Sequence, residues 1–128
     1  MNHPLLLGAC VAGGAVLGAL MRWGAGLWLN PLWMGFPLGT LAVNAVGGLL
    51  AGAAYVVLGR FPHEPLRLLL VTGFLGGLTT FSSFSAESLS LIEKGRGMLA
   101  LTHTLAHVLG ALACAALGAR LARWWLSL

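Results

Sequence analysis

The sequence predicts an all-α integral membrane protein. Four transmembrane helices are expected, the third broken mid-membrane, in an antiparallel, dual-topology homodimer. Three observations carry this. Of 128 residues, 59% are hydrophobic and 8% charged, whereas a soluble domain carries about a quarter charged residues. The apolar residues form four long runs, and a helix needs ~20 residues to cross ~30 Å of hydrocarbon. The third run contains TGFLGGLTTFSSFSAE, from Thr72 to Glu87, where glycines and hydroxyl residues interrupt the apolar pattern. The chain reads as a single transmembrane domain over residues 1–128, without an internal repeat or low-complexity segment.

Helix 1 is expected at about residues 5–29. Gly14 and Gly18 stand four apart, a spacing that lets another helix approach closely. Arg22, followed by Trp23 and Trp28, reads either as an interfacial anchor or as an inward cation beside an anion pathway. The N-terminus reads as uncleaved. Leu7-Gly8-Ala9-Cys10 faintly resembles a lipoprotein cleavage box, but the residues before it lack Lys and Arg and the apolar run is short. Cys10 and Cys114 lie far apart in apolar runs and read as small packing residues.

Helix 2 is expected at about residues 37–59, with Thr40 and Asn44 inside it and Gly48 and Gly52 repeating the close-packing spacing. Asn44 could clamp two helices or offer donors to an anion. The turn Arg60–Pro65 leads to helix 3, about residues 66–92. Gly76-Gly77, with Gly73 before them, permit dihedrals that an ordinary helix cannot use, and hydroxyl residues cap a helix that restarts. A bilayer tolerates backbone freed by such a break only where it is buried in protein or lines a watery or ion-holding cavity. The stretch therefore reads as a site. Phe81 and Phe84 share a face, Ser82 and Ser85 form a neighbouring stripe, and Ser83 lies among them. Glu87 is the one carboxylate placed to lie within the membrane, a functional candidate by default. Its other readings are a partner for Arg22 or a residue at a vestibule mouth.

Helix 4, about residues 98–125, carries Thr102, His103, Thr104 and His107. The two histidines are one turn apart. A metal needs a third ligand and a supporting carboxylate, and neither is evident, so pore-lining or interhelical bonding is the favoured reading. With four spans, Arg60, Arg67, Arg120 and Arg123 fall on the side of the termini, and Arg22, Lys94 and Arg96 on the other. So even a distribution sets no orientation, and permits an antiparallel dimer about an in-plane two-fold axis. The basic residues stand singly and form no nucleic-acid patch.

The stretch Gly73–Glu87, with Gly39-Thr40-x-x-x-Asn44 and Arg22, resembles the Fluc (CrcB-type) fluoride channels, and the resemblance spans the chain. It implies an antiparallel homodimer in a prokaryotic plasma membrane, the inner membrane of a Gram-negative cell. Two pores per dimer would pass fluoride outward and relieve its toxicity. It implies Phe81 and Phe84 as pore aromatics and Asn44 as a lining donor. Glu87 and Arg22 would lie toward the ends of the pathway. A sodium ion at the dimer centre would be held by backbone carbonyls of Gly76 and Thr79. Thr40, Ser82 and Ser83 supply further hydroxyls. The family's polar, often hydroxyl-bearing track on helix 4 is replaced here by His103 and His107. A small multidrug-type proton-coupled exporter is the alternative, but it wants a carboxylate in helix 1, which has none. A non-transporting membrane subunit would give the polar stripe no purpose. No nucleophile–base pair or metal set suggests an enzyme.

Overall fold

The computed structural model describes residues 3–128, and among them every regular element is helical. α1 is Pro4–Leu29, and a 3-10 turn at Asn30–Leu32 leads to α2, Leu38–Arg60. α3 covers residues 64–78, α4 is Phe81–Glu93 and α5 is Gly97–Ser127. With α3 and α4 counted as one span, four segments are long and apolar enough to cross a membrane, as expected.

The helix ends follow from local chemistry. His3 Nδ1 accepts from the Leu5 N–H at 3.3 Å, and His63 Nδ1 from the Leu66 N–H at 3.2 Å. Pro4 and Pro65 sit in the first turns they cap, where a missing N–H costs nothing. α2 is capped from a distance by Asn30, whose Oδ1 accepts from the Gly39 N–H at 2.7 Å. α4 closes on Gly95, at φ 72°, with Arg96 N–H bonding the Leu91 carbonyl and Gly95 N–H that of Ile92.

The helices pack backbone to backbone. A Cβ on Gly14 would strike the Leu69 carbonyl, one on Gly18 the Phe74 carbonyl, one on Gly73 that of Val11 and one on Gly77 that of Ala15. Between α2 and α5, Gly48 and Gly52 meet the carbonyls of Ala111 and Ala115, and Gly118 meets that of Leu49. Gly73 and Gly77 thus make a further pair at the four-residue spacing, answering Gly14 and Gly18.

This corrects the expected role of the glycines in the third span. Gly76 is helical, at φ −62° and ψ −36°, and Gly95 is the only described glycine with positive φ. The interruption comes later: Thr79 and Thr80 are extended, at ψ 155° and 123°, and the helix restarts at Phe81. The physical reason is that Gly73 and Gly77 are needed for the close approach of α1, whereas β-branched threonine suits extended backbone. Ahead of the interruption, residues 68–75 form a wide π-helical segment in which the Gly76 N–H reaches back five residues to the Val71 carbonyl.

Val43, Leu75 and Leu78 form the small buried core. Only 11% to 22% of each span's apolar window is buried within the chain, so most apolar surface faces outward.

The neighbouring glycines of α1 make a direct test of this packing. Gly14→Ala places a Cβ against α3 backbone and is expected to destabilise by about 1–3 kcal/mol, the cost of overpacking a tight contact. Gly13, with nothing within 4 Å of its Cβ position, should accept alanine without loss. Thermal unfolding in detergent, followed by helical circular dichroism, compares them; equal behaviour would refute the α1–α3 contact.

Candidate functional site

Asn44 on α2 faces the interruption between α3 and α4 and holds it. Its Oδ1 accepts from the Thr80 N–H at 2.8 Å, and its Nδ2 donates to the Thr80 carbonyl at 3.0 Å. The amide thus pairs with one extended residue much as a neighbouring strand would. The Nδ2 also lies 3.0 Å from His107 Nδ1. Thr80 in turn caps α4, its Oγ1 accepting from the Ser83 N–H at 3.1 Å, with Ser82 Oγ also 3.1 Å away.

Among the carbonyls that lose their helical donors are those of Gly76 and Thr79. The Thr80 N–H would close on Gly76 in an unbroken helix and goes to Asn44 instead. The Ser83 N–H would close on Thr79 and goes to the Thr80 hydroxyl. Thr79 secures its own side chain by donating to the Leu75 carbonyl at 2.7 Å. Arg22 is drawn to this region, with Nε donating to the Gly77 carbonyl at 3.0 Å. It therefore neither pairs with Glu87 nor reaches the histidines.

The other sequence-expected residues converge. His103 is fully enclosed and His107 is 5% exposed, their rings 4.5 Å apart between centroids. Phe84 lies nearly parallel to His103 at 5.4 Å and tilted against His107 at 4.7 Å. Phe81 follows at 5.4 Å from Phe84 but is 78% exposed. His103 Nε2 is 3.1 Å from Glu87 Oε2, and Glu87 Oε1 accepts the Thr40 hydroxyl. The other ring nitrogen of His103 is 2.9 Å from Ser88 Oγ, which also neighbours the Thr104 hydroxyl at 3.4 Å. His107 Nε2, by contrast, is buried without a hydrogen-bond partner among the described residues.

Ligand-type atoms of Glu87, His103 and His107 all lie within 4.8 Å of one another. The carboxylate that the sequence did not place beside the two histidines is therefore Glu87. Ser88 was also missed, although it follows Phe81 and Phe84 at the spacing that keeps a residue on one helix face.

Two cavities flank this cluster. One, of about 480 Å³, is lined by Asn44, Gly76, Thr79, Phe81, Phe84 and His107. The other, of about 530 Å³, is walled by Trp33, Phe36, Glu87, Lys94 and Arg96 among others. Phe36 seals the second against His103, with centroids 5.3 Å apart. Of the polar cluster, Glu87 lines the second cavity and His107 and Asn44 line the first, with His103 enclosed beside Glu87 and His107. Only His107 Nε2 in this cluster lacks a hydrogen-bond partner among the described residues.

Comparison with known proteins agrees on one family. The family model described as CrcB-like protein, Camphor Resistance (CrcB), matches residues 9–119. A protein of Aromatoleum aromaticum named fluoride-specific ion channel FluC is 52% identical over 120 residues, covering 91% of this chain and 89% of its own. A Bordetella petrii protein of the same name is 53% identical over 110 residues, covering 84% of each chain. One from Pasteurella multocida, also so named, is 44% identical over 117 residues, covering 90% of this chain and 91% of its own.

Proposed function

Since the chain belongs to the CrcB family, we propose that it is a fluoride-selective ion channel in a prokaryotic plasma membrane. It lets fluoride leave the cell passively and so relieves fluoride toxicity. Neutral HF crosses the bilayer, ionises at neutral pH inside and is trapped, and the channel gives the anion an exit. The function is transport, not catalysis.

The observation that carries this reading is His107 Nε2, a buried polar atom without a hydrogen-bond partner among the described residues, on a residue that lines the first cavity. Leaving such an atom unpaired costs about 1–3 kcal/mol, and a passing anion removes that cost. Fluoride is small and strongly hydrated, so its path must replace water with closely spaced donors. Lys94 and Arg96 gather anions at one mouth. Thr40, His103 and Glu87 hold the line beyond it. The positive edges of Phe84 and Phe81 and the hydroxyls of Ser82 and Ser83 continue it past His107.

The working unit is an antiparallel homodimer with two pores. Support comes from the first cavity, which is lined in part by Phe81, itself 78% exposed, and from the even spread of cations. The freed carbonyls of Gly76 and Thr79 suit a structural sodium ion at the dimer centre, where a hard cation takes oxygen ligands. No carboxylate is needed there.

Three outcomes are expected. In proteoliposomes the wild-type chain should pass fluoride and not chloride. His107→Ser should keep most of that flux, whereas His107→Leu should reduce it roughly tenfold or more, the effect of withdrawing one buried donor. Equal flux in the two variants would remove the histidine from the pathway.

Single cysteines at residues 61–63, in a background without Cys10 and Cys114, should be labelled from both membrane faces in comparable amounts. Labelling from one face alone would rule out the antiparallel dimer.

Prolonged exchange of sodium for a large organic cation should weaken the dimer or its flux. If neither changes, the Gly76 and Thr79 carbonyls are satisfied in some other way.

A further inference from the structure

Asn44 was expected to line the path as a donor, yet its amide is already committed. Oδ1 takes the Thr80 N–H, while Nδ2 serves the Thr80 carbonyl and faces His107 Nδ1. A backbone N–H can only donate and an amide NH2 group has no lone pair to receive it, so the Thr80 N–H fixes which end of the amide is which. The Nδ2 group has only hydrogens to offer His107, whose Nδ1 must therefore present its lone pair. In a neutral imidazole the proton then sits on Nε2.

We propose that Asn44 is a positioning residue that sets the tautomer of His107, so that the buried Nε2 enters the pathway as an N–H donor for the anion. The proposal rests on the channel reading above and assigns Asn44 a different task within it: it acts through His107 and has no donor left for the ion.

The same bond decides between two chemistries for the cluster. Glu87, His103 and His107 are close enough together to suggest a transition-metal site. Metal ligation requires imidazole lone pairs. Asn44 claims the His107 lone pair on Nδ1 and leaves a proton on Nε2. Glu87 Oε2 stands 3.1 Å from His103 Nε2, as an acceptor that holds the proton there. The histidines therefore carry protons where a metal would need electron pairs, and the His107 N–H is the one left to meet an anion.

The test uses the full-length protein, labelled with ¹⁵N-histidine in lipid bilayers, with His107 signals assigned through single His→Gln variants. Solid-state NMR should find Nδ1 unprotonated and Nε2 protonated in the wild type. Asn44→Asp keeps an acceptor for the Thr80 N–H but loses both donors, so His107 should then carry a proton on Nδ1. A protonated Nδ1 in the wild type overturns the proposal, and that spectrum suffices even if the variant fails to fold. An unchanged tautomer in a folded Asn44→Asp overturns it as well.

Flux supplies the second arm. Asn44→Asp should lower fluoride flux roughly tenfold or more in the wild-type background. It should lower flux much less in His107→Ser, where a rotating hydroxyl suits either neighbour. Equal losses in both backgrounds would mean that Asn44 only clamps the interruption, and would overturn the proposal. Absence of fluoride flux from the wild type, with the tautomer as expected, would instead sink the channel reading and leave the tautomer assignment standing.

Discussion

The bidentate bond between the Asn44 amide and the backbone of Thr80 is what the rest of the structure depends on. An interruption in a membrane helix exposes polar backbone where lipid offers no partner. Here one side chain from α2 satisfies both groups of the extended residue, at 2.8 and 3.0 Å. That pairing fixes where α3 stops and orients α4. It frees the Gly76 carbonyl and turns Phe81 and Phe84 toward the first cavity. Remove it, and each later feature loses its reason to be where it is.

The clamp holds a position only because the helices carrying it cannot slide. α1 against α3, and α2 against α5, are spaced by glycines whose neighbours are carbonyl oxygens and amides, with no side chain between. Such contacts gain from dispersion and shape, the forces left to helices already surrounded by apolar lipid. They also leave little freedom for rotation. A polar row that must meet a small ion at hydrogen-bond distances needs a frame of this stiffness.

Much of this was legible in the sequence, and for physical reasons. Hydrophobic runs long enough to span a bilayer announce themselves through composition, and the spacing of Gly14 and Gly18 or of Gly48 and Gly52 announces close packing. The convergence of glycines, hydroxyls and phenylalanines marked the region around the interruption. The part its glycines play was misread, because Gly73 and Gly77 can serve two purposes, and only the neighbouring helix decides between them. Nothing local tells that Asn44 will reach the Thr80 backbone, since backbone groups carry no sequence signature. The meeting of Glu87 with His103 is equally hidden, because it depends on how α4 lies across α5. His103 also lies deeper than a place near the start of α5 suggests, covered by Phe36 from the loop before α2.

The π-helical segment at residues 68–75 can be viewed as an angular spacer. Its i→i+5 bonding fits more chain into the same rise than an α-helix does. Each residue of an α-helix turns the chain by about 100°. Deleting one residue between Arg67 and Gly76 would let the segment relax into ordinary helix, locally at no cost. A π-helical turn advances the chain by less per residue than an α-helix does, so the segment takes up its extra residue and leaves Thr79 and Thr80 on the face that meets Asn44. The segment can therefore lose one residue with little change of phase, whereas a deletion in the ordinary helix beyond it would swing Thr80 away from Asn44.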